Sequence, residues 1–366
     1  MESSTAKYYS RLDHLRFIAA LLVLVWHSIH FQNVAPTSYV PTFWPLSILE
    51  EGHTGVALFM TLSGFIFHAL CRNRKIIYLE FIRNRILRIA PLFLVWTLYL
   101  FYTENIDPTK LAVAMLALLN RDVVPGVGWT IIVEFQFYLI FPFLLSFSLR
   151  YGIRYLIALV VLAMLFRLGT WYTQGSVQVL AYWTIFGRID QFLMGMIGSE
   201  LFFRYPRQIG RLRVLISLLV AWIVLYQRFN SLGGFYNHSG YPSPSSIWVY
   251  FPTLEGIFYS LIAASYMALD RKIPRLVDKC LSWLGTLSFS FYLNHLLVIA
   301  VCLKLCADVG WSVKGFEQGL LFCFLVVLPC LTVLSAFTYR LIELPFLAMR
   351  RNYLGVDQRS LVTAIR

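Results

Sequence analysis

The chain has 366 residues, of which 59% are hydrophobic and only 13% are charged, with a formal net charge of +13. Soluble globular proteins average about 45–50% apolar and about 25% charged residues, so this composition excludes a soluble enzyme, a disordered chain and a coiled coil. The basic residues lie in short loops between apolar stretches. They therefore indicate membrane topology and contact with anionic lipid or an anionic ligand, and not binding of nucleic acid.

Ten apolar stretches are long enough, or nearly so, to cross a hydrocarbon core of about 30 Å. We predict spans over residues 15–33, 55–71, 88–103, 130–148, 154–171, 178–200, 213–228, 248–269, 281–303 and 317–340. The shorter stretch 110–119 is predicted to form an interfacial or re-entrant helix. With both termini in the cytoplasm, 24 of the 31 lysines and arginines lie inside and five lie in outer loops, a strong positive-inside bias. The predicted fold class is all-α: a polytopic integral membrane protein of about ten transmembrane helices.

The first span carries Arg16 at its cytoplasmic end and His27 eleven residues later. Eleven residues return to nearly the same helix face and rise about 16 Å. This arrangement suits a long anionic ligand that enters from the cytoplasm and reaches His27, a typical general base. A buried, hydrogen-bonded structural histidine is an equally weighted interpretation of His27, and Arg16 alone is typical of a topology anchor.

The segment before the third span contains Arg83, Arg85 and Arg88. Arg85 and Arg88 share one helix face, and guanidinium groups bind phosphate through two parallel hydrogen bonds. The alternative is contact with lipid headgroups.

In the fourth span, Glu134 and Tyr138 share a face. Glu134 is interpreted either as a group that orients His27 or holds an acceptor hydroxyl, or as the partner of a membrane arginine, Arg167 or Arg188.

His295 lies deep in the ninth span, and Glu343 at the inner end of the tenth is interpreted as a partner of Arg340 or Arg350. Ser63, in the second span, is predicted to have a packing or hydrogen-bonding role. The histidines and carboxylates have no metal-ligand spacing, so we predict no metal site.

Six short segments occur in order along almost the whole chain. They are RLDHLRFIAA (11–20, followed by His27), VALFMTLSGF (56–65), FIRNRILRIAP (81–91), WTIIVEFQFYLIFP (129–142), SFSFYLNH (288–295) and IELP (342–345). Together they resemble the membrane-bound acyltransferase-3 family, found among bacterial O-antigen and exopolysaccharide O-acetyltransferases. Three positions differ from the family pattern: His14 and Phe17 replace glycines, and Asn84 replaces an arginine.

The resemblance implies a multi-pass enzyme of the bacterial inner membrane, of the EC 2.3.1 type. It would move an acyl group, usually acetyl, from cytoplasmic acyl-CoA to a hydroxyl of a cell-surface or lipid-linked glycan. One transmembrane domain is expected over 1–350 and a short basic cytoplasmic tail over 351–366. No metal cofactor is implied.

The resemblance also implies roles for single residues. The donor's phosphates would be held by four arginines: Arg16, Arg83, Arg85 and Arg88. Asp13 would support Arg16 or Arg88. His27 would take the acceptor's proton or receive the acyl group first, Glu134 would orient a histidine, and His295 is a second candidate base.

Two other functions fit the same residues. One is a carrier or flippase for a lipid-linked glycan, whose path a charged interior would line, although no inverted repeat is evident. The other is acylation of a small molecule.

Overall fold

The computed structural model describes residues 9–31, 44–72, 74–103, 109, 126–236 and 240–357. Within these ranges the chain is almost entirely helical, which confirms the predicted all-α class. Nine of the described helices are long and apolar enough to cross a membrane. The helix predicted over 110–119 and the last nine residues of the predicted tail lie outside the described residues.

The helices follow one another with short connections. The first seven are α1 (Ser10–His30), α2 (Ser47–Glu50), α3 (Gly55–Cys71), α4 (Tyr78–Thr103), α5 (Trp129–Tyr151), α6 (Ile153–Gln174) and α7 (Gln178–Trp183). The next seven are α8 (Ile185–Arg204), α9 (Pro206–Ile209), α10 (Leu212–Ser231), α11 (Ile247–Ala268), α12 (Arg275–Thr286), α13 (Ser288–Asp308) and α14 (Gly315–Ala348). Three single 3₁₀ turns precede α2, α3 and α5, at Trp44–Leu46, Gly52–Thr54 and Gly126–Gly128. Two π-helical turns, Cys323–Val327 and Tyr339–Glu343, interrupt α14.

The difference between ten predicted spans and nine apolar helices comes from α8. The predicted sixth span is divided into α7 and α8 at Thr184, whose backbone is extended and whose hydroxyl accepts the Gly187 N–H at 3.2 Å. Helix α8 is 20 residues long but contains four charged side chains. Its composition therefore does not identify it as a transmembrane helix. Arg188 and Asp190 are tolerated because the bundle buries and pairs them, and the other two charges, Glu200 and Arg204, lie near the C-terminal end of the helix.

Helix α8 packs between α3 and α11, with its backbone in contact with that of α3. A Cβ atom on Gly64 would lie 1.9 Å from the carbonyl oxygen of Phe192, and one on Gly195 would lie 2.0 Å from that of Thr61. Small residues at such crossings allow close approach of helices in membranes. The two glycines therefore determine the distance between α3 and α8.

Two buried ion pairs tie α8 to its neighbours. Arg167 Nη2 lies 2.7 Å from Asp190 Oδ2, and Arg188 Nη1 lies 3.4 Å from Glu255 Oε2. All four side chains are at most 1% exposed. Charges at this depth are stable only when they are paired.

We call the face at which α1 begins and α3 ends the inner face; the sequence predicts that it is cytoplasmic. Here β1 (Arg74–Ile76) pairs with β2 (Leu354–Asp357) in an antiparallel manner. The chain that follows α14 therefore folds back beside the beginning of α4.

Candidate active site

A cavity of about 550 Å³ lies between α1, α3, α4, α5, α12, α13 and α14. Along α3 its lining extends from Leu70, near the inner face, to Val56. The two residues are 14 positions apart, which corresponds to a depth of about 21 Å at 1.5 Å per residue. Thr130 and Tyr292 line the deep end, and three arginines and residues 350–354 line the mouth. The cavity is therefore long enough for an extended ligand.

Arg85 is the cation of α4 that has no counter-ion. Its guanidinium lies over the rings of Phe67, Phe81 and Tyr138, with 4.8, 5.6 and 5.8 Å from Cζ to the ring centroids. Its Nε atom is buried without a hydrogen-bond partner. No carboxylate among the described residues lies within ion-pair distance of Arg85. Aromatic rings stabilise a cation but leave its N–H donors available to an anion.

The other predicted donor-binding arginines differ in their surroundings. Arg16 and Arg88 line the cavity, but each is paired with a carboxylate: Arg16 Nη1 lies 3.0 Å from Asp13 Oδ1. Arg88 Nη1 lies 2.5 Å from Glu343 Oε2. Arg83 does not line the cavity, and it lies 3.5 Å from Glu80. Of the four arginines, the structure brings three together at the cavity and places Arg83 outside it.

Glu343 pairs with Arg88, not with Arg340 or Arg350 as the sequence suggested. Its carboxylate is 1% exposed and also accepts a hydrogen bond from Ser290. The ion pair between Arg88 and Glu343 thus joins α4 to α14 at the cavity wall.

Glu134 lies in the cavity wall, midway between the mouth and the deep end. It accepts hydrogen bonds from Ser63, at 2.6 Å, and from Tyr138. The alternative of an ion pair with Arg167 or Arg188 is wrong, because those arginines bind Asp190 and Glu255. Among the described residues, Glu134 forms no hydrogen bond with a histidine. Ser63 has the predicted hydrogen-bonding role.

His27 and His295 meet beyond the deep end of the cavity. Their ring centroids are 4.9 Å apart, and the ring of His295 lies 5.6 Å from that of Tyr292, which lines the cavity. His295 Nδ1 lies 2.6 Å from the carbonyl oxygen of Tyr292. A carbonyl only accepts, so in the neutral ring Nδ1 carries the proton and Nε2 carries the lone pair. That Nε2 is buried and has no hydrogen-bond partner in the part of the chain that the structure describes.

Sequence reasoning missed Arg350, which it treated as a topological charge or a partner of Glu343. In the structure Arg350 lines the cavity together with Arg85 and Arg88. Partial loss of solvent, and then the neighbouring charges of Arg85 and Arg88, lower the pKa of Arg350 to about 9. Only the contact between the end of α14 and the beginning of α4 reveals this cluster. No sequence motif could have found it.

Within the described ranges, no group of three or more His, Cys, Asp or Glu side chains is arranged to hold a metal ion. The groups available for chemistry are therefore two imidazoles, one carboxylate with two hydroxyl donors, and a set of guanidiniums. This combination suits anion binding at the mouth and proton transfer at the deep end.

Comparison with models of protein families identifies the family to which this chain belongs. A family model of acyltransferase-3, described as an acyltransferase domain, matches residues 9–339. Comparisons with curated proteins and with solved structures found no match. The matched range covers most of the chain and contains both histidines and Glu134. The chain therefore belongs to the acyltransferase-3 family and is a membrane acyltransferase.

Proposed function

We propose that the protein is an O-acyltransferase of the bacterial inner membrane, which moves an acyl group, usually acetyl, from cytoplasmic acyl-CoA to a hydroxyl of a cell-surface or lipid-linked glycan. One observation carries this proposal: a cavity about 21 Å deep along α3 has the uncompensated Arg85 near its mouth and approaches the His27–His295 pair at its deep end.

Acyl-CoA has the shape and charge that this cavity requires. Its phosphates are at one end, its thioester is at the other, and a flexible arm joins them. Phosphates near Arg85 and Arg88 would form charge-assisted hydrogen bonds. The arm would then lie along α3 and α5, which places the thioester towards Tyr292 and the two histidines.

The chemistry follows from the histidine pair. A general base within reach removes the proton from the acceptor hydroxyl while the hydroxyl oxygen attacks the thioester carbonyl. The new C–O bond replaces the C–S bond, and the departing thiolate takes up a proton. The free Nε2 of His295 and the partly exposed ring of His27 are the two bases available for this transfer.

Glu134 is proposed as a positioning residue in this scheme. Its carboxylate is held by Ser63 and Tyr138, and all three side chains line the cavity. They would hold the arm of the donor and orient the thioester, while the histidines handle the proton.

The test uses inverted membrane vesicles and acetyl-CoA labelled in the acetyl group. We expect label to enter a glycan or lipid-linked fraction, and this transfer to be lost in His27→Ala. A matched control is His68→Gln, because His68 is also buried in a span but is hydrogen bonded to Ser199 away from the cavity. If an unmodified glycan crosses the membrane and no label is transferred, the protein is a carrier and the proposal is wrong.

A further inference from the structure

The chain after α14 forms part of the cavity mouth. Asn84 Nδ2 donates to the carbonyl oxygen of Arg351 at 2.6 Å, and Arg351 N–H donates to Asn84 Oδ1 at 3.0 Å. One buried side chain thus binds both polar groups of a single backbone residue. Further along, Ile77 N–H donates to the carbonyl oxygen of Tyr353 at 2.9 Å, and the Tyr353 ring packs 5.4 Å from that of Phe81.

Asn84 is the position at which this chain differs from the arginine-rich pattern of the segment 81–91. A side-chain amide has no charge to offer a phosphate, but it matches a backbone N–H and C=O. The substitution removes one cation from α4 and creates an attachment point for the C-terminal segment Arg350–Asp357.

That attachment holds Arg350 at the cavity that Asn84 also lines. Arg350 directly precedes Arg351, whose backbone is hydrogen bonded to Asn84. Arg350 lines the cavity with Arg85 and Arg88. Among the described residues, no carboxylate lies within ion-pair distance of Arg350. The nearby Glu343 is paired with Arg88. Of Arg85, Arg88 and Arg350, only Arg88 is therefore paired with a carboxylate among the described residues.

Burial and then the neighbouring cations both disfavour the charged form of Arg350. Loss of solvent on its cavity side, together with Arg85 and Arg88, lowers the pKa of its guanidinium to about 9. The side chain remains charged at neutral pH, and an anion bound among the three arginines would relieve their repulsion.

We propose that the C-terminal segment is part of the donor site, and that Arg350, positioned by Asn84, binds a phosphate of a nucleotide-containing acyl donor in place of the arginine that α4 lacks. This inference rests on the proposed function. Since Arg350 lies at the mouth, it would contact the nucleotide end of the donor and not its thioester. Lipid headgroups offer the same phosphate chemistry at this face, so the experiment distinguishes the two sources.

The experiment measures binding without turnover, on the full chain in nanodiscs, with CoA, 3′-dephospho-CoA and pantetheine as probes. We expect Arg350→Gln to weaken binding of CoA about tenfold or more, as for a lost charged hydrogen bond, and to leave pantetheine binding unchanged. Asn84→Ala should weaken CoA binding in the same direction, and Arg350→Lys should restore part of it. The control is Arg340→Gln, since Arg340 is exposed on α14 and does not line the cavity.

The possible outcomes separate this inference from the proposed function. If the wild type binds no CoA, the proposed function itself is wrong. If the wild type binds CoA and Arg350→Gln binds it equally well, only the role of Arg350 is wrong. If Arg350→Gln keeps its CoA affinity but loses stabilisation by phosphatidylglycerol relative to phosphatidylcholine nanodiscs, the residue binds lipid and the inference is overturned.

Discussion

The rings of His27 and His295 lie with their centroids 4.9 Å apart, although one residue is on the first helix and the other is on the last but one. Neither histidine lines the cavity itself, and Tyr292 lies between the cavity and His295. The pair is therefore placed where a ligand that enters from the inner face comes to its end.

If the two imidazoles act on one proton, their contributions to catalysis are not additive. We expect His27→Ala and His295→Ala each to lower acetyl transfer by about 10²–10⁴-fold, and the double variant to be little worse than the poorer single variant. Initial rates in vesicles at matched expression measure this. Independent, multiplying effects would show that the histidines do not share a step.

Arg85 and Arg83 provide a direct comparison between a cation inside the cavity and one outside it. Arg85→Gln should raise the KM for acetyl-CoA about tenfold or more, because among the described residues its guanidinium has no carboxylate partner and its Nε has no hydrogen-bond acceptor. Arg83 lies against Glu80 and away from the cavity, so Arg83→Gln should have an effect several-fold smaller. Equal effects in donor titrations would indicate a diffuse surface charge.

Glu343 is expected to stabilise the folded protein and to weaken binding of the acyl donor. Glu343→Gln removes the carboxylate beside Arg88 and makes the mouth more positive, so CoA should bind several-fold more tightly. The same change weakens a buried ion pair, and we expect a loss of about 1–3 kcal/mol in the free energy of unfolding. CoA titration and thermal unfolding in detergent measure the two quantities. Weaker CoA binding would mean that Arg88 needs Glu343 to keep its position.

The ion pair between Arg167 and Asp190 is expected to be important for stability because both side chains are fully buried. Asp190→Asn leaves a buried guanidinium without its charge partner, which typically costs about 3–5 kcal/mol. Arg204→Gln is the control, because Arg204 is exposed and an exposed pair such as the one it forms with Glu200 contributes about 0–1 kcal/mol. Denaturant unfolding in micelles compares the two, and similar losses would contradict the assignment.

Glu51, just before the second span, should make the stability depend on pH. Burial raises the pKa of Glu51 to about 7, against the opposing effects of His30 and of hydrogen bonds from Phe235 and Asn230. The folded state thus favours the protonated carboxyl. The resulting stability is complete below the unfolded pKa and is lost as the pH rises to about 7, by about 3 kcal/mol in all.

The measurement is the apparent Tm in detergent between pH 5 and 8. The wild type should melt at lower temperature as the pH rises over this range. Glu51→Gln, which cannot ionise, should give a flatter profile. An unchanged slope in that variant would assign the pH dependence to another group.

Several features could be predicted from the sequence because their causes are local. The length of the apolar stretches and the positions of the basic residues predicted a helical membrane protein. The six segments predicted the family, and the spacing of Arg16 and His27 on α1 pointed to one face of one helix. The count of spans was less certain, because α8 carries Arg188 and Asp190, whose burial depends on neighbouring helices.

The pairing of charges was beyond sequence reasoning. Glu343 was assigned to arginines close to it in the chain, yet it binds Arg88 on a distant helix. Glu134 had two plausible partners in Arg167 and Arg188, and it binds Ser63 and Tyr138 instead. In a low-dielectric interior each charge takes the best-placed partner in space, and distance along the chain does not predict that partner.

Sequence alone therefore determined the environment, the helical class and the family of this protein, since hydrophobic length, charge bias and short motifs are properties of continuous segments of the chain. Tertiary structure alone decided which groups meet at the candidate site: that His27 lies beside His295, that Arg85 has no carboxylate partner among the described residues, and that Asn84 binds the C-terminal segment at the mouth of the cavity. These relationships depend on how helices far apart in the chain pack against one another. Close packing fixes them only when the whole bundle is assembled.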